Sequence, residues 1–359
     1  MKRQLKAALR AALGERGRAL VTRASWALGR RPHVNRAAAH ALRFPGGRRA
    51  ALVLSADFEL AWAWRYARGL ADPVGFARRR AQQGRRNMRP LLELCDRFEL
   101  PVTWATVGHL FLDGCRRSDG RTHTGLPRLP HFESDWWAYR QGDWFDADPA
   151  CAGPSEPEWF DWYAPDLLRS ILQRPVGHEI GCHTFSHVPF SDSYCPAEVA
   201  TAELLACAAL ARDWGLTLRS FVFPGNVPGN HASLRSAGFT AYRMTTPYEL
   251  DLPRRDELGM WQVPGTFIEH VGPWSAAEQT RRLRRYVDSA VEHGLLCSFW
   301  FHPETDPHNV EAIFPDLFSH IASRRSEVWV TTMGSLARWL DHEAALGTAP
   351  TSGGAAARA

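Results

Sequence analysis

Four short stretches of the chain carry residue types able to do chemistry. The first, Ser55-Ala-Asp57-Phe-Glu59-Leu-Ala-Trp62, ends an apolar run. Residues two apart on a strand point the same way, so Asp57 and Glu59 can share one face. Two carboxylates placed together divide roles, one binding a metal and the other taking a proton. Taken alone, an acidic pair ending a strand is more often a cap or a salt-bridge partner. The second is His183-Thr-Phe-Ser-His187. Histidines at i and i+4 share one face of a helical turn and can ligate one metal. Fifteen histidines in 359 positions give about 0.6 such pairs by chance. Position at the end of a buried strand therefore matters more than spacing. The third is Leu295-Leu-Cys-Ser-Phe-Trp-Phe301-His302-Pro303-Glu304, a long apolar run ending in an imidazole placed for acid–base work or for capping. The fourth is Phe221-Val-Phe-Pro224-Gly225-Asn226, a turn able to aim backbone N–H groups at an oxyanion.

The elements that must position these residues follow from patterning. Short apolar runs bounded by turn residues predict strands at 50–56, 101–108, 176–182, 220–223, 241–244, 261–263, 295–301 and 328–332. Helices are expected between them at 73–98, 165–173, 196–214, 231–237, 275–293, 310–323 and 335–346. Strands alternating with helices mean a mostly parallel sheet with right-handed crossovers. The expected fold is α/β, an irregular (β/α) barrel of about seven strands over 46–346, whose site forms at the C-terminal ends of the strands. Residues 113–163 break the alternation. They hold Trp136, Trp137, Trp144, Trp159 and Trp162 beside Asp135, Asp143, Asp146, Asp148 and Asp161. An insertion this long is usually functional. It reads either as a sugar-binding cleft of indole faces and carboxylates or as a subdomain that buries its own tryptophans.

Composition bounds the rest. Hydrophobic residues make up 45% and charged residues 23%, which excludes global disorder and a multi-span membrane protein. The net charge of +5 is local. Residues 1–32 hold nine basic groups against Glu15 and carry +8, leaving −3 on the remainder. A slightly acidic body argues against nucleic acid as a partner. Residues 1–45 read as a basic N-terminal extension. Its Leu5, Leu9, Leu13 and Leu20 have helical spacing, so residues 1–32 form either a peripheral membrane contact or a solvated extension. Residues 347–359 read as a disordered tail. Seven cysteines without a CxxC pair predict neither a disulfide framework nor a cysteine zinc site, and fit a reducing compartment. The N-terminus lacks the apolar run of a signal peptide, so the expected location is cytoplasmic.

Taken in order, the four stretches resemble the polysaccharide deacetylase family (NodB homology, the carbohydrate esterase four group), in a divergent branch. The resemblance spans about residues 50–332, and His183-Thr-Phe-Ser-His187 is its most specific element. It implies Asp57 as catalytic base, His302 as catalytic acid, and Glu59, His183 and His187 as ligands of a divalent metal; two histidines and one carboxylate suit zinc, and iron, cobalt or nickel could occupy the same set. It implies Pro224, Gly225, Asn226 and Trp62 at the oxyanion and substrate, and an N-acetylated sugar or polysaccharide as substrate. Two positions depart from the family's pattern. Phe58 separates the two acids, and Val222 stands where an arginine usually orients the base, a role Arg243 could take over. The implied activity is hydrolytic N-deacetylation of an amino sugar in polysaccharide or glycolipid synthesis. Hydrolysis of a cyclic amide or imide at the same site, and glycan binding by a catalytically degenerate protein, are the alternatives.

Overall fold

The computed structural model describes residues 32–246, 248–269 and 275–346; residues 1–31 and 347–359, most of the expected extension and the whole expected tail, lie outside the described residues. All eight expected strands form. They are β1 (Ala50–Phe58), β2 (Val102–Thr106), β5 (Glu179–Cys182), β6 (Ser220–Val222), β7 (Ala241–Met244), β9 (Trp261–Pro264), β11 (Leu296–Phe301) and β12 (Val328–Thr331). Four two-residue strands add to them: β3 (Phe132–Glu133), β4 (Ala138–Tyr139), β8 (Arg254–Arg255) and β10 (Thr266–Phe267). A two-residue strand is too short for alternation to show, so patterning misses it.

The main sheet has ten strands where about seven were expected, in the order β10-β11-β1-β2-β5-β6-β7-β9-β8. The tenth, β12, pairs with β1 at Ala50–Val53, while β2 takes the Leu54–Phe58 half of the same edge. Only β8 runs antiparallel to its neighbour. The two ends of this path approach through one bridge, in which Leu296 N–H donates to Asp251 O at 3.1 Å. The barrel is therefore irregular, as expected. Strand β1 is buried along its whole length, as a central parallel strand covered on both faces must be.

The helices are α1 (Pro73–Arg97), α2 (Trp159–Trp162), α3 (Pro165–Leu172), α4 (Ala197–Asp213), α5 (His231–Ser236), α6 (Ala276–His293), α7 (Phe314–Ser323) and α8 (Met333–Ala345). Three of their starts, those of α1, α6 and α8, carry a side-chain cap. Asp72 caps α1, whose first residue is Pro73, and Ser275 with Glu278 forms a reciprocal capping box on α6. Residues 32–45 lie on the barrel. Val34 bridges Leu250, Asn35 Nδ2 donates to Asp251 at 2.8 Å, and Leu42 and Phe44 are buried.

The insertion 113–163 carries only the β3–β4 pair and α2 as regular structure. Trp144, Trp159 and Trp162 are buried, Trp137 is half-buried and Trp136 is exposed. Most of its tryptophans thus build its own core against the barrel.

Candidate active site

The functional stretches meet at the C-terminal ends of β1, β5, β6, β7 and β11, where a parallel barrel collects its loops. Strand β1 ends at Phe58, and the chain turns sharply at Glu59, with Leu60 at φ 47°. Alternation sends Phe58 into the core, edge-on to Trp104, and leaves Asp57 and Glu59 on the mouth side. The inserted Phe58 therefore lets both acids face one point.

His183 follows β5 directly, and its N–H donates to Thr106 O at 3.0 Å. The expected helical turn does not form between the two histidines. Thr184 and His187 instead take positive φ, 60° and 58°, in a tight turn. That turn is held by buried Glu203, which accepts from Ser186 N–H at 2.8 Å and Ser186 Oγ at 2.6 Å. The rings still converge, at 5.0 Å between centroids.

Glu59 Oε1 lies 3.0 Å from His183 Nε2 and 3.2 Å from His187 Nε2. One ligand atom from each residue can be chosen so that all three lie within 4.8 Å of one another. His183 Nδ1 faces Val222 O at 2.8 Å. A carbonyl only accepts, so in the neutral ring Nδ1 carries the hydrogen and Nε2 turns a lone pair towards Glu59. A carboxylate and an imidazole lone pair facing each other is a donor set that fits a divalent cation. Burial opposes the charge on Glu59, but the charge of nearby His187 outweighs it and holds the carboxyl well below its ordinary range.

Two further groups flank the triad. Arg243, on β7, donates Nη1 to Asp57 Oδ1 at 2.5 Å and Nη2 to Oδ2 at 2.6 Å. The guanidinium also reaches Ser55 Oγ at 3.2 Å and Asn226 Oδ1 at 3.4 Å, and lies over the Trp300 ring. A bidentate arginine thus orients Asp57 from a neighbouring strand, although Val222 occupies the usual position. On the other side His302 Nε2 stands 4.0 Å from Glu59 Oε1. Its Nδ1 and its backbone N–H both meet Glu269 Oε1 at 2.7 Å, and Thr305 Oγ1 donates to Glu269 Oε2 at 2.7 Å. Burial disfavours the imidazolium, but Glu269, with Glu59 and Asp57 beyond it, raises the His302 pKa to about 9. His302 is thereby kept protonated at neutral pH.

The remaining expected residues divide. In the turn Pro224-Gly225-Asn226, the Asn226 N–H already donates to Phe223 O at 2.9 Å, and proline has none to offer. Gly225 has φ 61°, and a Cβ there would meet the Trp137 ring at 2.1 Å, so the insertion packs onto this turn through a glycine. Trp62 does not reach the mouth. It is fully buried 4.4 Å from the His109 ring, and its Nε1 donates to Trp162 O at 3.1 Å. Trp137, from the insertion, stands nearer the site, 6.3 Å from the His187 ring, and lines a small pocket with Arg65, Tyr66, Phe132 and Pro224. Glu269 had no sequence signal, since it lies beside β10 and belongs to no motif. Nor had Glu304, which accepts from Leu60 N–H at 2.7 Å; burial, with repulsion from Glu59, raises its pKa to about 7.

With this geometry in place, known proteins can be compared. No family model matches the chain, and no curated protein matches it. Solved structures do. A crystal structure from Mycobacterium smegmatis named as a polysaccharide deacetylase superposes with a TM-score of 0.59 at 15% identity, covering 88% of this chain and 98% of that one. One from Pseudomonas aeruginosa PAO1, also named as a polysaccharide deacetylase, gives 0.58 at 16% identity, covering 84% and 94%. The chain has the polysaccharide deacetylase fold. The allantoinase PuuE superposes as well, at 0.57 and 16% identity over 90% of this chain and 96% of that one. The low identities make this chain a divergent branch of the polysaccharide deacetylase fold, in keeping with its Asp-Phe-Glu element and its arginine on β7.

Proposed function

We propose that the protein is a metal-dependent hydrolase that removes an N-acetyl group from an amino sugar in polysaccharide or glycolipid synthesis. The observation that carries this reading is the convergence of Glu59, His183 and His187 between a buried Asp57–Arg243 pair and a partly exposed His302 paired with buried Glu269. A divalent cation held by Glu59, His183 and His187, zinc by its two-histidine, one-carboxylate donors, would supply Lewis acidity to an amide carbonyl and to water. Asp57 accepts the water proton at a carboxylate oxygen that Arg243 orients. His302 carries a proton on Nε2, because Glu269 holds its other nitrogen, and gives it to the departing amine. The Gly225 N–H is the donor of its turn best placed to serve an oxyanion, since the Asn226 N–H is taken. Trp137 and Tyr66 line the adjoining pocket with ring faces suited to the apolar side of a sugar or an acetyl methyl.

The allantoinase among the structural neighbours favours one alternative on the same residues, opening of a cyclic amide or imide. A degenerate glycan-binding role gains no support from the site, since Arg243 restores the partner of Asp57 that Val222 removes. The discriminating experiment is metal titration of the purified protein, followed by acetate release from N-acetylhexosamines beside ring opening of hydantoin-like compounds. Stoichiometric metal lost in His183→Ala, together with acetate release, supports deacetylation. Ring opening without acetate transfers the site to cyclic amides. Sugar affinity unaltered in Asp57→Asn and His302→Ala, with neither reaction, supports the binding role.

Among the described residues no helix is long and apolar enough to cross a membrane. We place the reaction in the cytoplasm, with contact to an anionic membrane through residues 1–32. Equal liposome flotation of the full chain and a chain beginning near residue 45 would remove that contact.

A further inference from the structure

A second constellation of metal-ligating atoms lies away from the barrel mouth, at the root of the insertion. His109 stands in the turn Gly108–Phe111 that follows β2, while Cys115, His123 and Asp148 come from the insertion. One ligand atom from each of the four lies within 4.8 Å of all the others. Asp148 Oδ2 is 3.2 Å from His109 Nε2, 2.7 Å from His123 Nε2 and 3.1 Å from Cys115 Sγ. Ligands around a tetrahedral zinc stand about 3.3–3.8 Å apart, so the three contacts of Asp148 Oδ2, closer than that, need open only slightly to admit the ion.

The surroundings aim the donors inward. His109 Nδ1 faces Trp162 O at 3.1 Å. In the neutral ring Nδ1 therefore carries the hydrogen, and Nε2 directs its lone pair at the Asp148 carboxylate, another acceptor. Asp148 Oδ1 is occupied by Tyr163 OH and by Ala150 N–H, both at 2.9 Å, which leaves Oδ2 to face the cluster. Tyr163 OH also lies 2.9 Å from Cys115 Sγ. A carbonyl and a phenol that orient metal-facing donors are the outer partners a metal site uses.

We propose that His109, Cys115, His123 and Asp148 form a structural zinc site that fastens the insertion to the barrel. The proposal is independent of the hydrolase reading. One thiolate, two imidazoles and one carboxylate select zinc over magnesium or calcium, and four protein donors leave no open position for substrate. Binding replaces the Cys115 S–H bond by an S–Zn bond, and the proton passes to water. The site revises the expectation that no cysteine takes part in zinc binding. A single cysteine among donors at 109, 115, 123 and 148 leaves no CxxC for the sequence to display.

Cys115 is partly exposed and the other six cysteines are buried, so it is the thiol a reagent reaches in the wild-type full-length chain; burial and Asp148 push its pKa up to about 12, so the metal-free thiol is read at alkaline pH. The native protein, chelated and then reloaded with zinc, is titrated with an aromatic disulfide reagent. We expect one thiol to react in the chelated protein and its rate to fall at least about tenfold on reloading. Cobalt reloading should add a thiolate-to-metal charge-transfer band that survives in His183→Ala and is missing in Cys115→Ser. The barrel mouth offers no thiol, so this band reports the second site alone. Unchanged Cys115 reactivity in zinc, or cobalt loading without the band, would overturn the proposal.

Discussion

The barrel mouth and the root of the insertion both gather histidines around a single carboxylate oxygen, and on the readings proposed above they serve opposite ends, a reactive centre and a fastening. At the mouth Glu59 meets two imidazoles, and two polar pairs stand beside the triad. At the insertion Asp148 meets two imidazoles and a thiol, with Tyr163 and a backbone carbonyl closing the outside. Three donors with an acid and a base at hand leave room for a reacting molecule; four donors in a shell leave none. The difference teaches that ligand count and neighbours, rather than histidine content, separate a reactive centre from a fastening.

Substitutions can break this contrast, and the mouth should yield the largest effects. His183→Ala should remove about one metal equivalent and lower turnover by at least about 10³-fold, by metal analysis and steady-state kinetics. Asp57→Asn should lower kcat by about 10²–10⁴-fold with bound metal unchanged, since it takes away the proton acceptor alone. Arg243→Met strands a buried carboxylate, and should cost about 3–5 kcal/mol in chemical denaturation as well as activity. Glu269→Gln tests the acid. With Glu269 present the His302 pKa stands at about 9, so activity should fall as pH rises through that value. Without the carboxylate the falling limb should move down towards the ordinary histidine value of about 6.5, costing roughly tenfold or more at pH 8. Cys115→Ser should have the smallest effect on chemistry, within about threefold in kcat/KM, while lowering the thermal midpoint by several degrees. A large loss of turnover there would erase the distinction between the two clusters.

Much of the fold was legible because its strands are apolar runs and its long helices α1 and α6 begin at capping residues. Pro73–Arg97 and Ala276–His293 fall within a residue of the expected bounds. The short strands around 132–139, 254–255 and 266–267 were not legible, since two residues show no period. At the mouth, Asp57, Glu59, His183, His187 and His302 come together from three separate stretches, each marked by a strand ending in a polar residue. The histidine turn shows how far spacing reaches. It foretold convergence, while Thr184 and His187 achieve it through left-handed backbone, which no i, i+4 rule anticipates. The resemblance placed Trp62 at the substrate, whereas the sharp bend at Glu59 and Leu60 turns it into the core. Glu269 and Asp148 work through partners distant in the chain, and local pattern carries no trace of such pairing.

The most direct test of the hydrolytic account compares wild type and Asp57→Asn at equal bound zinc, following acetate released from an N-acetylated amino sugar. The account predicts steady release by the wild type and a loss of at least about a hundredfold in the variant with its metal intact. Equal rates in the two proteins, or a wild type that binds zinc and releases no acetate, would contradict it.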